Sequence, residues 1–381
     1  MGLSRRFQNL ILDNPYGGAK WLRSVDLTRQ LFGNTAASTI GEGSESAVVQ
    51  DSTSHTPAAD SCNPKNKQAS KNKQAFKIKM ERFRLPSPIV RFHSREMPHR
   101  RCSDCFPLPD RKVVIADHTG RTFLCNVDTR RVVPMPNLHK PKSRPISLFI
   151  PSADDPSGGG GSLYVMENKI EPELADGTEL SDQFEVFVCG KPTRTSDSER
   201  PWQCQLLPPP PFVRDRACWF PSPQITSYAV VGSDICISTN RSGTYNGTYC
   251  LDTVTNTWLQ VAKGTPLPFF HGKVQYVPEL KLWFGLSAEL GHHLAAADLS
   301  PAMMDSQPQL IGDWSEFDPP EGWLESHHPQ LVNLGLGRFC IARCSMLPRH
   351  RLPRSVVYSS NAKDGKLSMA RFRNAPEHYQ S

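Results

Sequence analysis

Residues 249–261 read YCLDTVTNTWLQV. The stretch runs apolar, breaks at Asp252 and Thr253, passes Thr255 and Asn256, and returns to an apolar run through Trp258. An Asp that can accept backbone hydrogen bonds and an Asn suited to the bend make this a hairpin. The fold depends on whether the hairpin stands alone or recurs.

It recurs. CFPLPDRKVVIAD leads into TFLCNVDTRRVVPMP, and SLFIPSADDPSGGGGSLYVME into FEVFVCGKP and WQCQLLPPPPF. YAVVGSDICIST precedes the opening stretch; VQYVPELKLWFGLS precedes HLAAADLS and PQLIGDW; LVNLGLGRFCIAR precedes SVVYSS and GKLSMARF. The turns between first and second runs fall near residues 110, 158, 232, 279 and 336. Where no insert intervenes the period is about 47 residues, the size of a four-stranded propeller blade. With an N-terminal hairpin in FQNLILDNPYGGAKWLRSVDLTRQLF, the expectation is an all-β, kelch-like β-propeller of about six blades, five to seven being compatible. In this reading residues 1–32 supply strands that complete a blade with the C-terminal ones and close the ring. Residues 33–79 form a disordered basic insertion, and residues 80–375 are the propeller. Asp128, Asp252 and Asp298 mark the blade turns, and Trp258 packs one blade against the next.

Composition agrees. The 34 prolines and 25 glycines in 381 residues favour turns over long helices. No apolar run approaches the roughly 18 residues a spanning helix needs, so no membrane role is expected. The start, MGLSRRFQNLILDN, has no signal-peptide apolar stretch, so a cytoplasmic or nuclear location is expected. The 11 cysteines are odd in number, and Cys125, Cys189, Cys236 and Cys340 lie in apolar runs. They read as reduced, buried thiols rather than a disulfide framework.

The net charge of +7 is concentrated. Residues 65–101 hold six Lys and six Arg against Glu81 and Glu96, so the rest of the chain is net acidic. Lys65, Lys67, Lys71 and Lys73 fall in low-complexity sequence and are candidates for weak, salt-sensitive polyanion contact. Phe83 to Phe92 are expected to begin the first blade.

Catalytic signatures are missing. Cys102 and Cys105 form a CxxC with no second pair for zinc. His292–His293 and His327–His328 read as solvent-exposed loop histidines, since adjacent strand residues point to opposite faces. SGGGGS lacks the Lys and Ser/Thr of a phosphate loop. Glu171, Glu173, Asp176 and Glu179 read as a solvated turn, and LLPPPPF at 206–212 as a connector between blades.

DTVTNTW resembles the end of a kelch repeat. The whole chain resembles a plant family expanded in grasses, the domain of unknown function 1668. The resemblance is carried by MGLSRRFQNLILDN, DLTRQLF, LHKPKSRPISLFIPSAD, ELSDQFEVFV, CQLLPPPPFVR, FHGKVQYVPELKLWFGLS, DSQPQLIGDW and LGLGRFCIAR. It implies a propeller of the kelch or F-box-associated kind and brings no activity with it. The N-terminal hairpin leaves no room for a helical F-box. The expected function is therefore a non-enzymatic, monomeric protein-interaction module, needing no cofactor or metal and binding an unspecified protein partner. A propeller enzyme using the central channel, or a nucleic-acid binder using the basic segment, is the alternative.

Overall fold

The computed structural model describes residues 7–14, 19–27, 80–84, 86–92, 103–153, 160–174, 179–190, 201–216, 220–241, 244–262, 270–288, 293–299, 309–314, 324–335, 338–347, 350–361 and 366–373. Lys65, Lys67, Lys71 and Lys73, with residues 33–79, lie outside them.

The described residues are nearly all β. Antiparallel four-stranded meanders occupy 103–135, 146–207, 224–262, 270–314 and 324–373, here the first to fifth meanders. Phe7–Asn14, Ala19–Asp26 and Val90–Phe92 make a three-stranded N-terminal sheet. In each meander the first and second strands join where the sequence placed the turn: 108–111, 152–160, 232–233, 278–281 and 336–337. The first strands of the third and fourth meanders touch in parallel, Ser227 opposite Gly272 and Tyr228 opposite Lys273.

Alternation gives each sheet apolar residues on both faces, and both faces are used. Phe106 and Val114 pack with Leu163 and Phe187, joining the first meander to the second. Phe184 and Tyr164 meet Ile235 and Tyr249 of the third. Ala229 and Cys236 meet Phe270 and Trp283 of the fourth. Phe284 stacks on Phe339 of the fifth, ring centroids 4.5 Å apart. Leu334 and Cys340 pack against Val25 and Leu27 of the N-terminal sheet, whose Leu22 packs against Val113, Ile115 and Cys125 of the first meander. The circuit closes on itself. Sheets stacked face to face around a ring make a β-propeller, which protects its edge strands. Each fully buried Phe in these seams contributes about 2–3 kcal/mol of apolar transfer.

Three expectations are corrected. The N-terminal strands close the ring as a separate sheet packed between the fifth and first meanders; among the described residues they do not pair with the C-terminal strands. Met80–Arg84 pairs in parallel with Lys366–Arg373, and Val90–Phe92 joins the N-terminal sheet, so the first meander begins at Ser103, not at Phe83. Alternation tells a strand which face to bury but not which partner to take. Cys236 is no free thiol: it faces Cys250 across adjacent strands, Cα atoms 4.1 Å apart, and the two form a disulfide. Register brings together two residues separated by 14 in the chain. Cys125 and Cys340 are buried free thiols as expected, and Cys189 is half-buried.

Candidate functional site

Antiparallel meanders sort their connections onto two faces. Turns between strands one and two, and three and four, share the turn face. Links between strands two and three, and from one meander to the next, share the connector face.

On the turn face, Asp252 closes the strand Thr244–Asp252. Its Oδ1 accepts from the Val254 and Thr255 amides at 2.8 and 3.3 Å, and its Oδ2 from the Thr255 hydroxyl at 2.7 Å. These bonds, the hydroxyl first, hold its carboxyl below the usual carboxylate range. Asn256 can then take φ 55° before the chain returns. Trp258 follows: its indole donates to the Pro208 carbonyl at 2.7 Å, and its ring meets Phe184 edge-on at 6.0 Å. It packs the third meander on the second. In the first meander the equivalent acceptor is Asn126, bonded to the Asp128 and Thr129 amides at 3.0 and 3.1 Å, with Arg130 at φ 57°. Asp128 is thus not the turn acceptor. It lies two residues further on and pairs with Arg111 at 2.8 Å. Asp298 ends the strand Leu294–Asp298, and the turn after it lies outside the described residues.

The connector face carries what the sequence reading missed. Lys142 and Glu185 have fully buried side chains that form an ion pair. The Lys142 ammonium also donates to the Lys140 and Asp182 carbonyls at 2.8 and 2.7 Å. Glu185 Oε2 accepts from the His139 amide (3.0 Å), faces His139 Nδ1 (2.7 Å) and accepts from the Cys204 thiol (3.1 Å). Burial by itself would raise the Glu185 carboxyl; the donors from His139 and Lys142 outweigh it and hold the group below its ordinary value. Burial, then the Glu185 charge, pushes the Cys204 thiol far up.

A second layer surrounds this pair. Lys140 reaches Glu167 at 3.6 Å, Asp182 at 3.8 Å and Glu171 at 4.0 Å. Burial raises Glu167, with Lys140 pulling partly back. Gln183 accepts from the Glu171 amide at 2.7 Å and donates to the Glu171 carbonyl at 2.8 Å. Glu173 accepts from Ser181 and Gln183, both at 2.5 Å, and Arg214 lies 3.8 Å away. Glu173 is therefore tied into the fold, whereas Glu171 is held through its backbone and keeps an exposed carboxylate, as a solvated turn requires. Asp176 lies outside the described residues, and Glu179 is exposed. His327 and His328 belong to the strand Leu324–Gly335, not to a loop.

Three donors converge here, His139, Glu185 and Cys204, their ligand atoms within 4.8 Å of one another. As a nucleophile Cys204 is poorly prepared, because the adjacent carboxylate stabilises the protonated thiol. As a metal ligand Glu185 is already neutralised by Lys142, so a cation entering would meet an ammonium. The arrangement is suited to holding the loop 138–145 in place. Above it a cavity of about 280 Å³ is lined by Ser143, Arg144, Asn168, Lys169 and Gln224. Asn168 donates to the Ile225 carbonyl and accepts from Gln224, each at 2.9 Å. Pro208–Pro210 runs as the expected connector into the turn Pro211–Val213, which buries Phe212 against Tyr249 at 4.7 Å.

Fold and site together define a β-propeller whose connector face is braced by a buried ion pair and opens into a basic, amide-lined cavity. The chain belongs to the family described as "Protein of unknown function (DUF1668)", which matches residues 5–373. The match runs past Arg343, where the last motif that carries the resemblance ends. No curated protein matches the sequence. Among solved structures, the chain is similar to an alpha-L-arabinanase from Penicillium chrysogenum complexed with arabinobiose (10% identity, 74% of this chain and 82% of that one, TM-score 0.40). It is also similar to BamB from Moraxella catarrhalis (11%, 71% and 64%, TM-score 0.26). A third similarity is to an auxiliary nutrient binding protein from Bacteroides thetaiotaomicron (9%, 70% and 56%, TM-score 0.37), so the chain spans just over half that protein's length.

Proposed function

We propose that this protein is a non-enzymatic protein-interaction module, a kelch-like ring of six blades that grips its partner on the connector face. One observation carries the reading: the buried Lys142–Glu185 pair fixes the loop that presents Ser143 and Arg144. Burying an ion pair adds little stability compared with apolar residues of the same shape, so its use points to positioning. Cyclic packing through six apolar seams supports the blade count. The Asp252 turn with Trp258 behind it supports the kelch-like reading. A rigid ring with connectors gathered on one face suits partner recognition, because its loops are held by strands rather than by one another.

The test is crosslinking mass spectrometry on complexes captured with the full-length protein. Crosslinks at 138–145, 167–183 and 208–224 are expected. Crosslinks confined to the turns near 110, 232 and 279 would refute the choice of face, and failure to retain any protein partner would refute the module.

A further inference from the structure

The cavity at residues 143–144, 168–169 and 224 has a chemistry of its own. Two of its five lining residues, Arg144 and Lys169, are cationic and none is acidic. Both are exposed. Among the described residues neither side chain takes a hydrogen bond or an ion pair, whereas Lys140 and Lys142 nearby are fully engaged. Two exposed cations lining one cavity repel, and an arrangement that keeps both there is well matched to an anion.

The surroundings are rigid. Arg144 sits at φ 50°, in the left-handed region that non-glycine residues seldom enter. The preceding residue is held by the Ser143 amide donating to Glu167 at 3.3 Å, and Lys142 before it is anchored through its ammonium to the Asp182 carbonyl. Lys169 is bridged to Gln224 through the backbone, and the Ile225 amide donates to the Asn168 carbonyl at 2.9 Å. The amide of Asn168 is held at both ends, which fixes the Gln224 side chain beside the two cations. Glu167, which accepts from the Ser143 amide, is buried and paired with Lys140, which offsets its charge. A guanidinium binds a carboxylate through two parallel N–H bonds, an ammonium adds a point charge, and the hydroxyl and amide supply further donors.

We propose that this cavity binds a carboxylate side chain from an acidic segment of the partner protein, with Arg144 and Lys169 as its two charged contacts. The inference rests on the interaction-module reading and names the chemistry of its partner. At about 280 Å³ the cavity has room for more than a single carboxylate, which suits an extended Glu- or Asp-rich segment.

The experiment uses the full-length protein and the peptide Glu-Ser-Glu-Ser-Glu, blocked at both ends, coupled by carbodiimide and mapped by mass spectrometry. Coupling at Lys169 should exceed that at Lys281, an exposed lysine of the turn face, by roughly tenfold, the worth of one charge-assisted hydrogen bond. Arg144→Gln should remove that excess while leaving the thermal melt unchanged, and the Gln-Ser-Gln-Ser-Gln peptide should not protect Lys169 from acetylation. Equal coupling at Lys169 and Lys281, or an excess that survives Arg144→Gln, would overturn the proposal. Displacement of the peptide by an equal concentration of inorganic phosphate would make this a free-anion site and would also overturn it. Partner crosslinks on the connector face without preference at Lys169 would reject the cavity alone. Preference at Lys169 with partner crosslinks on the turn face would reject the choice of docking face.

Discussion

On the turn face, Asp252 and Asn126 find their partners within three residues. On the connector face, Lys142 and Glu185 stand 43 residues apart, and Pro208 accepts from Trp258 across 50. The turns at Asn126 and Asp252 are closed by their own local hydrogen bonds; the Lys142–Glu185 pair ties the link between two meanders to a strand through side chains that only the assembled ring brings together. Damage to the first should be local and small. Damage to the second should spread.

The largest effect is expected at the buried pair. Lys142→Met alone leaves Glu185 charged and uncompensated, and should cost about 3–5 kcal/mol in urea unfolding. The double variant Lys142→Met/Glu185→Leu should recover much of that loss. If the single variant is as stable as the parent, the pair does not brace the connector face. Next comes Trp258→Ala, with a loss of about 3 kcal/mol for an aromatic packed on Phe184. Trp258→Phe should lose only the Pro208 hydrogen bond, about 1 kcal/mol.

The connector face should also respond to acid in two opposite senses. Folding lowers the Glu185 value, so its contribution is complete above the ordinary carboxylate range and is lost as pH falls through the folded value. Folding raises Glu167, so its burial cost applies at neutral pH and is relieved as pH falls through its raised value. Melting temperature against pH should therefore flatten on the acid side in Glu185→Gln. In Glu167→Gln the acid side should instead steepen, with stability at neutral pH unchanged or higher. Identical profiles for both variants would contradict this assignment.

The smallest effects belong to the turn face. Asn126→Ala should cost about 1 kcal/mol, the usual worth of such a side-chain cap, and Asp128→Ala no more than the about 0–1 kcal/mol of an exposed ion pair. If Asp128→Ala proves the more damaging, the aspartate serves the turn after all, and the two hairpins are not equivalent.

The repeat was legible in the sequence because its signals are local. Alternation and turn residues are set within a dozen residues, and they located the joins between strands. The error at Asp128 came from the same source: Asn126 and Asp128 can both cap a turn, and only the position of the strand end distinguishes them. Cys236 with Cys250, Met80–Arg84 beside the last strand, and the contacts of Lys142, Glu185, His139 and Cys204 were not legible. A lysine in HKPKSRP and a glutamate in DQFEVF give no sign that they will be buried together. That depends on which strands become neighbours and in what register, and these are decided by the closing of the ring. Chain-local chemistry determined the blades of this protein; the packing of one blade on the next decided its candidate site.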